Sequence, residues 1–430
     1  MVKRFLTICT LCISLLTLSS GACSKDDNLI IPLPPTPSGG TDDPGDDPGG
    51  NTTDPEEDAV LCTDIGQTPI VLAYYTENSP ALPDVTLLTH INYAHGRFVD
   101  KKAGDGGIYI ETPNSNPDLF RQVIARKSQN PRLKVMLMIG GWGDKADGFS
   151  MMARDATKRT TFCQSVKSLL NLYGFDGVDI DWEFPTQTAG GVNGASPDDT
   201  KNFNLVLKEL REALGTKKII SYASSSSANY VDWPTAMKYI DYVNVMTYDM
   251  GAAPNGHNSA LHKGGIFSSR SCEESIDLHL QKGVPLERMN LGVPFYGKSE
   301  KEQDESLRRT PKIYPYEVKY NEMAAVLSGT YYKYTDVDES GAGTKPRYSA
   351  GYNIRKWDPT GCVPYLTDNL NNIMLCYDDA ESVACKGKYA VGRGLLGAMC
   401  WEYRHDDGNQ TLLRSLVKSM YGKESVLNEQ

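Results

Sequence analysis

From residue 70 onward the chain alternates between two patterns. Short apolar runs rich in Val, Ile, Tyr and Met are followed by longer stretches whose apolar positions recur every three or four residues. The first pattern predicts strands and the second predicts helices. Eight strands are predicted, at 70–75, 90–94, 134–139, 177–182, 218–223, 242–248, 290–294 and 397–401. Helices are predicted at 118–129, 157–173, 201–214 and 411–421, and the third carries Leu205, Leu207, Leu210 and Leu214 at near-helical spacing. Strands alternating with helices belong to the α/β class. Eight such units make a (β/α)8 TIM barrel, expected here over 63–299 and 376–430.

The rhythm breaks once, between the seventh and eighth strands. The stretch from Gly297 to Tyr377 is far longer than a helix with the roughly 2–6 loop residues usual on either side. It contains a predicted helix at 317–327 and strand-like pieces at 331–334 and 363–366. A small α+β insertion over 300–375 is therefore expected.

The first sixty residues follow another logic. Lys3 and Arg4 precede a mostly apolar stretch at 5–18, then Ser19, Ser20, Gly21, Ala22 and Cys23. A basic start, a short apolar segment and small residues predict a secretory signal over 1–22. Small residues ending at a cysteine resemble a bacterial lipobox, with Cys23 as the lipidated residue, although Leu18 stands five rather than three positions before it. Residues 24–58 hold ten acids, one lysine, seven prolines and five glycines, with Asp42-Asp43-Pro44-Gly45 repeated directly at 46–49. Such a segment cannot bury enough apolar area to offset the entropy of ordering it. It is expected to be a lipid-anchored linker over 23–62. Lys25-Asp26-Asp27 resembles the surface-export signal of Bacteroides-like lipoproteins. The expected location is the bacterial outer membrane, exposed at the cell surface, with a periplasm-facing orientation as the alternative.

Charge and composition narrow the partners. The net charge of −10 comes from 44 basic and 54 acidic residues, and most of it lies in the linker. The body is close to neutral and has no basic cluster, so no nucleic-acid partner is expected. No apolar run reaches the roughly 18–20 residues of a membrane-spanning helix. Seven cysteines follow Cys23, too sparse for a disulfide scaffold; Cys163 and Cys400 sit in apolar contexts that suit buried free thiols. The six histidines show no metal-ligand spacing and read as structural or substrate-side. A monomer is the expected state.

The candidate chemistry lies in the fourth strand, Asp176-Gly177-Val178-Asp179-Ile180-Asp181-Trp182-Glu183-Phe184-Pro185. Asp179, Asp181 and Glu183 alternate with Val178, Ile180 and Trp182, so a strand puts the three acids on one face. In a barrel that face points inward near the C-terminal mouth, where barrel active sites are built. Like charges this close raise one another's pKa, and a raised carboxyl can serve as a general acid. A calcium loop also uses alternating acids, but it wants polar or glycine residues between them. The acidic run from Asp336 to Gly341 begins more like such a loop and reads as a solvated turn.

These residues resemble the signature of glycoside hydrolase family 18, the chitinase family. Asp176, Asp179, Asp181 and Glu183 match its D-x-x-D-x-D-x-E motif. Gly140-Gly141-Trp142, Met246-Thr247-Tyr248-Asp249 with Gly256-His257-Asn258, Gly292-Val293-Pro294-Phe295-Tyr296-Gly297, and the blocks from Tyr377 and Gly397 follow in the family's order. The resemblance covers about 68–421. It implies a retaining hydrolase of β-1,4-linked N-acetylglucosamine polymers or oligomers, acting by substrate assistance rather than through an enzyme nucleophile and requiring neither a metal nor an organic cofactor. It implies Glu183 as acid and base, Asp181 as the partner of the substrate acetamido group, Asp179 as the tuner of Asp181, and Tyr248 as donor to the acetamido carbonyl. Substrate contacts are implied for Trp401, Asp249, Tyr74, Trp142, Met246, Tyr296 and Asp176. Trp401, Trp142 and Tyr248 also fit plain core aromatics. Two other functions remain open on the sequence: an endo-β-N-acetylglucosaminidase acting on N-glycans, and a silent glycan-binding lectin.

The sequence departs from the family pattern in three places. Met138 stands at the serine of S-x-G-G, which removes a hydroxyl expected near Asp179. His95 replaces a common Phe after Asn92-Tyr93-Ala94. The loop after Asp249 lacks a common tryptophan, and five tryptophans in total offer few platforms for crystalline chitin.

Overall fold

Alternation along each strand divides the apolar residues into two cores. On β1 (Ile70–Thr76), Ile70, Leu72 and Tyr74 face inward, while Val71, Ala73 and Tyr75 face the surrounding helices. β4 (Lys134–Gly141) repeats this, with Met136 and Met138 inside and Val135, Leu137 and Ile139 outside. A strand buried on both faces needs apolar residues at nearly every position, which explains the continuous runs in the sequence.

The protein was analysed as a computed structural model, which describes residues 58–79, 81–188, 193–267, 269–299, 317–327, 354–367 and 370–427. The expected signal, Cys23, nearly all of the linker, the strand piece at 331–334 and the acidic turn at 336–341 lie outside the described residues. Eight parallel strands close a barrel: β1, β2 (His90–Phe98), β4, β5 (Gly177–Trp182), β6 (Ile219–Ser225), β7 (Tyr242–Met246), β8 (Met289–Pro294) and β14 (Gly397–Trp401). β1 pairs with both β2 and β14, which completes the ring. A short β3 (Ile108–Ile110) pairs antiparallel with β2 beyond the barrel wall. The expected TIM barrel is thus present, and every predicted barrel strand is found within a few residues. The strand expected over 242–248 stops at Met246, so Tyr248 and Asp249 lie in the loop above it.

The helices cover the outer core. Among them are α1 (Ala156–Tyr173), α2 (Asp199–Leu214), α3 (Cys272–Gln281), α4 (Ala380–Arg393) and α5 (Thr411–Tyr421). Asp155 caps α1 by accepting from the Lys158 N–H, and Ser271 with Glu274 forms a reciprocal cap on α3. On α2 the buried stripe is Phe203, Val206, Leu207, Leu210 and Leu214. Leu205 points outward, contrary to the sequence expectation, because two residues along a helix turn the side chain by about 200°. Among the described residues no helix is long and apolar enough to cross a membrane.

A second, antiparallel sheet stands between β8 and β14. Its order is β10 (Glu317–Lys319), β9 (Tyr296–Lys298), β13 (Ile373–Cys376), β12 (Val363–Thr367) and β11 (Ile354–Asp358). The helix predicted from 317 begins at Tyr320, because 317–319 pair with β9 as a strand. At the opposite, lower end of the barrel, residues 58–69 run across the opening. Cys62 and Ile65 pack on the inner core, the Ile65 carbonyl bonds the His90 ring at 2.7 Å, and Asp64 pairs with Lys134 at 2.7 Å.

Candidate active site

β5 carries the acids up the inside of the barrel. Asp179 sits deepest, with no exposed surface, and Met138 of β4 and Ser221 of β6 flank it in register. Three donors converge on its carboxylate. Ser221 Oγ gives to Oδ1 at 2.5 Å, Asn244 Nδ2 to Oδ1 at 3.0 Å, and Tyr74 OH to Oδ2 at 2.8 Å. Asn244 is itself held by Asn290 at 2.9 Å. Burial raises the Asp179 pKa to about 6, and the Ser221, Tyr74 and Asn244 bonds restrain that rise.

Asp181 lies one pleat higher, nearer the mouth. Its Oδ1 is buried and has no hydrogen-bond partner. A buried unpaired carboxylate oxygen costs free energy, so this atom is poised for a donor from outside the protein. Burial first, then the Glu183 and Asp179 charges, push its pKa well above the carboxylate range. Glu183 follows at the end of the strand. Burial and the Asp249 charge lift it to about 8, against the opposing effect of Lys145. A carboxyl in that range holds a proton at neutral pH and can release it.

The close approach of β4 to β5 requires glycine. A Cβ at Gly140 would lie 2.2 Å from the Asp181 carbonyl oxygen, and Gly140 has φ +107°. Three non-prolyl peptide bonds near the barrel mouth are cis: Ala94–His95, Glu183–Phe184 and Trp401–Glu402.

The walls come from other strands. Tyr248 is buried beside Tyr296, with ring centroids 6.1 Å apart. Asp249 accepts from Tyr296 OH at 2.6 Å and pairs with Lys298 at 2.6 Å. The Asn258 side chain accepts from the Asp249 N–H at 2.9 Å and donates to the Tyr296 carbonyl at 3.1 Å, which fastens the loop above β7 to β9. Trp401, partly buried, tilts against Tyr74 with centroids 5.4 Å apart. Met246 packs against the same inner core as Trp401. Trp142 stands at the rim, 55% exposed, 6.5 Å from the Phe184 ring; Phe184 stacks in turn on Tyr230 at 5.1 Å.

Asp176 does not join this group. It precedes β5 at the lower end of the barrel, where it accepts from the Val135 N–H at 2.7 Å and pairs with Lys127 at 2.5 Å. Three residues below Asp179 on a strand is about 10 Å, so its place in the motif is explained by strand anchoring rather than by substrate contact. Sequence reading also missed Ser221, Asn244, Asn290 and Asn258. The first three are inward-facing polar positions on strands and could have been found by extending the period-two reading to β6, β7 and β8.

Among the described residues, Glu77, His95 and Glu111 bring possible metal-ligand atoms within 4.8 Å of one another. Their surroundings already supply positive charge: Lys145 Nζ lies 3.0 Å from His95 Nε2, and Arg97 lies 3.4 Å from Glu111. The arrangement fits an internal ion-pair network better than an ion site.

The sequence profile described as "Glycosyl hydrolases family 18" matches residues 70–406. The chain is 33% identical over 330 residues to Chitinase A1 of Niallia circulans, covering 69% of this chain but 44% of that protein. It is 29% identical over 351 residues to Chitotriosidase-1 of Mus musculus, covering 75% of this chain and 68% of that one. Among solved structures it resembles a family 18 N-acetylglucosaminidase from Paenibacillus barengoltzii, at 28% identity and a TM-score of 0.64. That likeness covers 81% of this chain and 99% of the other.

Proposed function

This chain belongs to glycosyl hydrolase family 18, and from that premise we propose that it cleaves β-1,4-linked N-acetylglucosamine polymers or oligomers with retention, by substrate assistance. The observation that carries the reading is the column Asp179–Asp181–Glu183, with the unpartnered Asp181 Oδ1 beside a raised Glu183. In this reading Glu183 gives its proton to the glycosidic oxygen as the bond to the anomeric carbon breaks. The substrate's acetamido oxygen attacks that carbon and forms an oxazolinium ion. Asp181, whose raised pKa keeps a proton on it at rest, passes that proton to Asp179, accepts from the acetamido N–H, and as a carboxylate balances the positive charge that develops. Tyr248 donates to the acetamido carbonyl and holds it in attack position. Trp401 forms the floor beneath the sugar. Glu183, now a carboxylate, takes a proton from water as water opens the oxazolinium.

Product analysis tests this. Chito-oligosaccharides should give a β-configured product, and Glu183→Gln should abolish it. Cleavage of a high-mannose glycoprotein alone would move the reading to an endo-β-N-acetylglucosaminidase. Tight binding without cleavage of either substrate would move it to a lectin. Resemblance to an N-acetylglucosaminidase makes product length the quantity to measure.

We propose further that Cys23 carries a lipid and tethers the barrel to the outer membrane. In support, residues 58–69 meet the barrel at its lower end, away from the cleft. A tether there leaves the mouth facing outward. Cys23→Ala should shift the protein from the membrane to the soluble fraction.

A further inference from the structure

Two consecutive residues of the loop after β7 bond the peptide groups on either side of Tyr248. Ser259 Oγ donates to the Thr247 carbonyl at 2.6 Å, and Asn258 Oδ1 accepts from the Asp249 N–H at 2.9 Å. A peptide group is planar, so holding the Thr247 carbonyl also fixes the plane that carries the Tyr248 N–H. Holding the Asp249 N–H likewise fixes the plane that carries the Tyr248 carbonyl. The two soft dihedrals of Tyr248 lie between these planes and are set by them. β7 itself ends at Met246, so the strand ladder does not supply this control.

The direction of the Ser259 bond is set from behind. Lys386 of α4 has no exposed surface, and its Nζ lies 2.8 Å from Ser259 Oγ and 2.6 Å from Asp378 Oδ1. Asp378 is as deeply buried and also accepts from Ser382 Oγ at 2.7 Å. An ammonium only donates, so Ser259 accepts from Lys386 and its own hydrogen is left for an acceptor. The Thr247 carbonyl at 2.6 Å is a better one than Cys272 Sγ at 3.3 Å, since sulfur accepts weakly. A buried ion pair is seldom the most stable filling of such a space. Here it does what an apolar pair cannot: it turns a hydroxyl toward one backbone carbonyl.

We propose that Lys386 and Ser259 are positioning residues for the cleavage step, a relay from α4 that aims Tyr248 into the cleft. This rests on the function proposed above, in which Tyr248 donates to the acetamido carbonyl. Both residues are fully buried, so they act through Tyr248 rather than on the sugar. Without the Ser259 hydroxyl, the Thr247 carbonyl keeps a 3.5 Å contact from Cys272 Sγ in place of a 2.6 Å bond. The Tyr248 backbone then gains freedom on the side that leads out of β7.

Carbon-13 NMR of ring-labelled tyrosines reads the setting of Tyr248 without any substrate, its line being identified by its loss in Tyr248→Phe. That line should move in Ser259→Ala. It should also move when Lys386→Met is combined with Asp378→Asn, a pair that leaves no buried charge unpartnered. With chitotetraose as probe, Ser259→Ala should lower kcat about tenfold, as for a catalytic group present but misplaced, with KM changed by less than about twofold. In a Tyr248→Phe background the same change should cost less than about twofold, because the group it aims is gone. Damage to the fold would instead add to the Tyr248→Phe loss. Equal losses in the two backgrounds, or a Tyr248 line unmoved in Ser259→Ala, overturn the proposal. Should Ser259→Ala not fold, an unmoved line in the Lys386–Asp378 double variant overturns it equally. Wild-type protein that leaves chitotetraose intact speaks against the proposed substrate instead, and the Tyr248 line still decides the relay.

Discussion

The Ser221 hydroxyl donates to Asp179 from β6, across the strand from Met138 on β4, which occupies the family's serine position. The hydroxyl missing on one side of Asp179 is matched by one present on the other. Ser221→Ala should therefore raise the Asp179 pKa above its value of about 6. A hydrogen bond of about 1 kcal/mol corresponds to a shift of roughly 0.7 unit. The acid limb of the pH–rate profile should move up by that amount. Adding Met138→Ser to Ser221→Ala should bring it back. A profile that does not respond to either change would remove Asp179 from the tuning role.

Glu183→Gln should lower kcat by about 10²–10⁴, the range for losing a general acid, with the circular dichroism spectrum unchanged. Stability supplies a second reading. The folded-state pKa of Glu183 is raised to about 8, so the unfolded chain gives up that proton first as pH climbs. Wild-type stability is therefore lost between the ordinary glutamate range and pH 8. The amide has no proton to lose. The melting temperature of Glu183→Gln should exceed that of the wild type at pH 8–9 and match it near pH 4.

Trp142 and Trp401 should separate in kinetics. Trp142 is largely exposed at the rim, so Trp142→Ala should fold normally. It should raise KM about threefold to tenfold, since an aromatic contact contributes about 1 kcal/mol, and leave kcat near wild type. Trp401→Ala should lower kcat as well, because its ring lies against Tyr74 inside the cleft. Equal KM effects with unchanged kcat in both would make Trp401 a packing residue.

Arg211 and Asp241 form a buried pair at 2.6 Å below the site, and Asp241 also accepts from the Ile220 N–H at 2.7 Å. Arg211→Met leaves that carboxylate buried without its partner, a loss of about 3–5 kcal/mol. Urea denaturation should show this loss, while kcat per folded molecule stays unchanged.

The barrel and the acid column were legible because both rest on short periods. Two-residue alternation placed Asp179 and Asp181 inward, and β5 and β14 were predicted to the residue. Contacts between distant strands were not legible. The bond from Ser221 to Asp179 and the clamp of Asn258 on Asp249 depend on the register of neighbouring strands and on loop paths. Asp176 was misread because a shared motif does not say which end of a strand each residue occupies. His95 was noted only as a departure, and the side chains it meets, Glu77 and Lys145, come from a strand end and a loop that sequence spacing does not bring together.

β9 begins two residues after β8 ends, and its first and last residues, Tyr296 and Lys298, both bind Asp249. The second sheet is therefore not a removable module. A chimera that exchanges the insertion between relatives has its earliest safe splice point after Lys298. A cut at Pro294 would carry away two residues that hold Asp249 in the cleft. The boundary seen by eye between the two sheets and the boundary a protein engineer must respect differ by four residues.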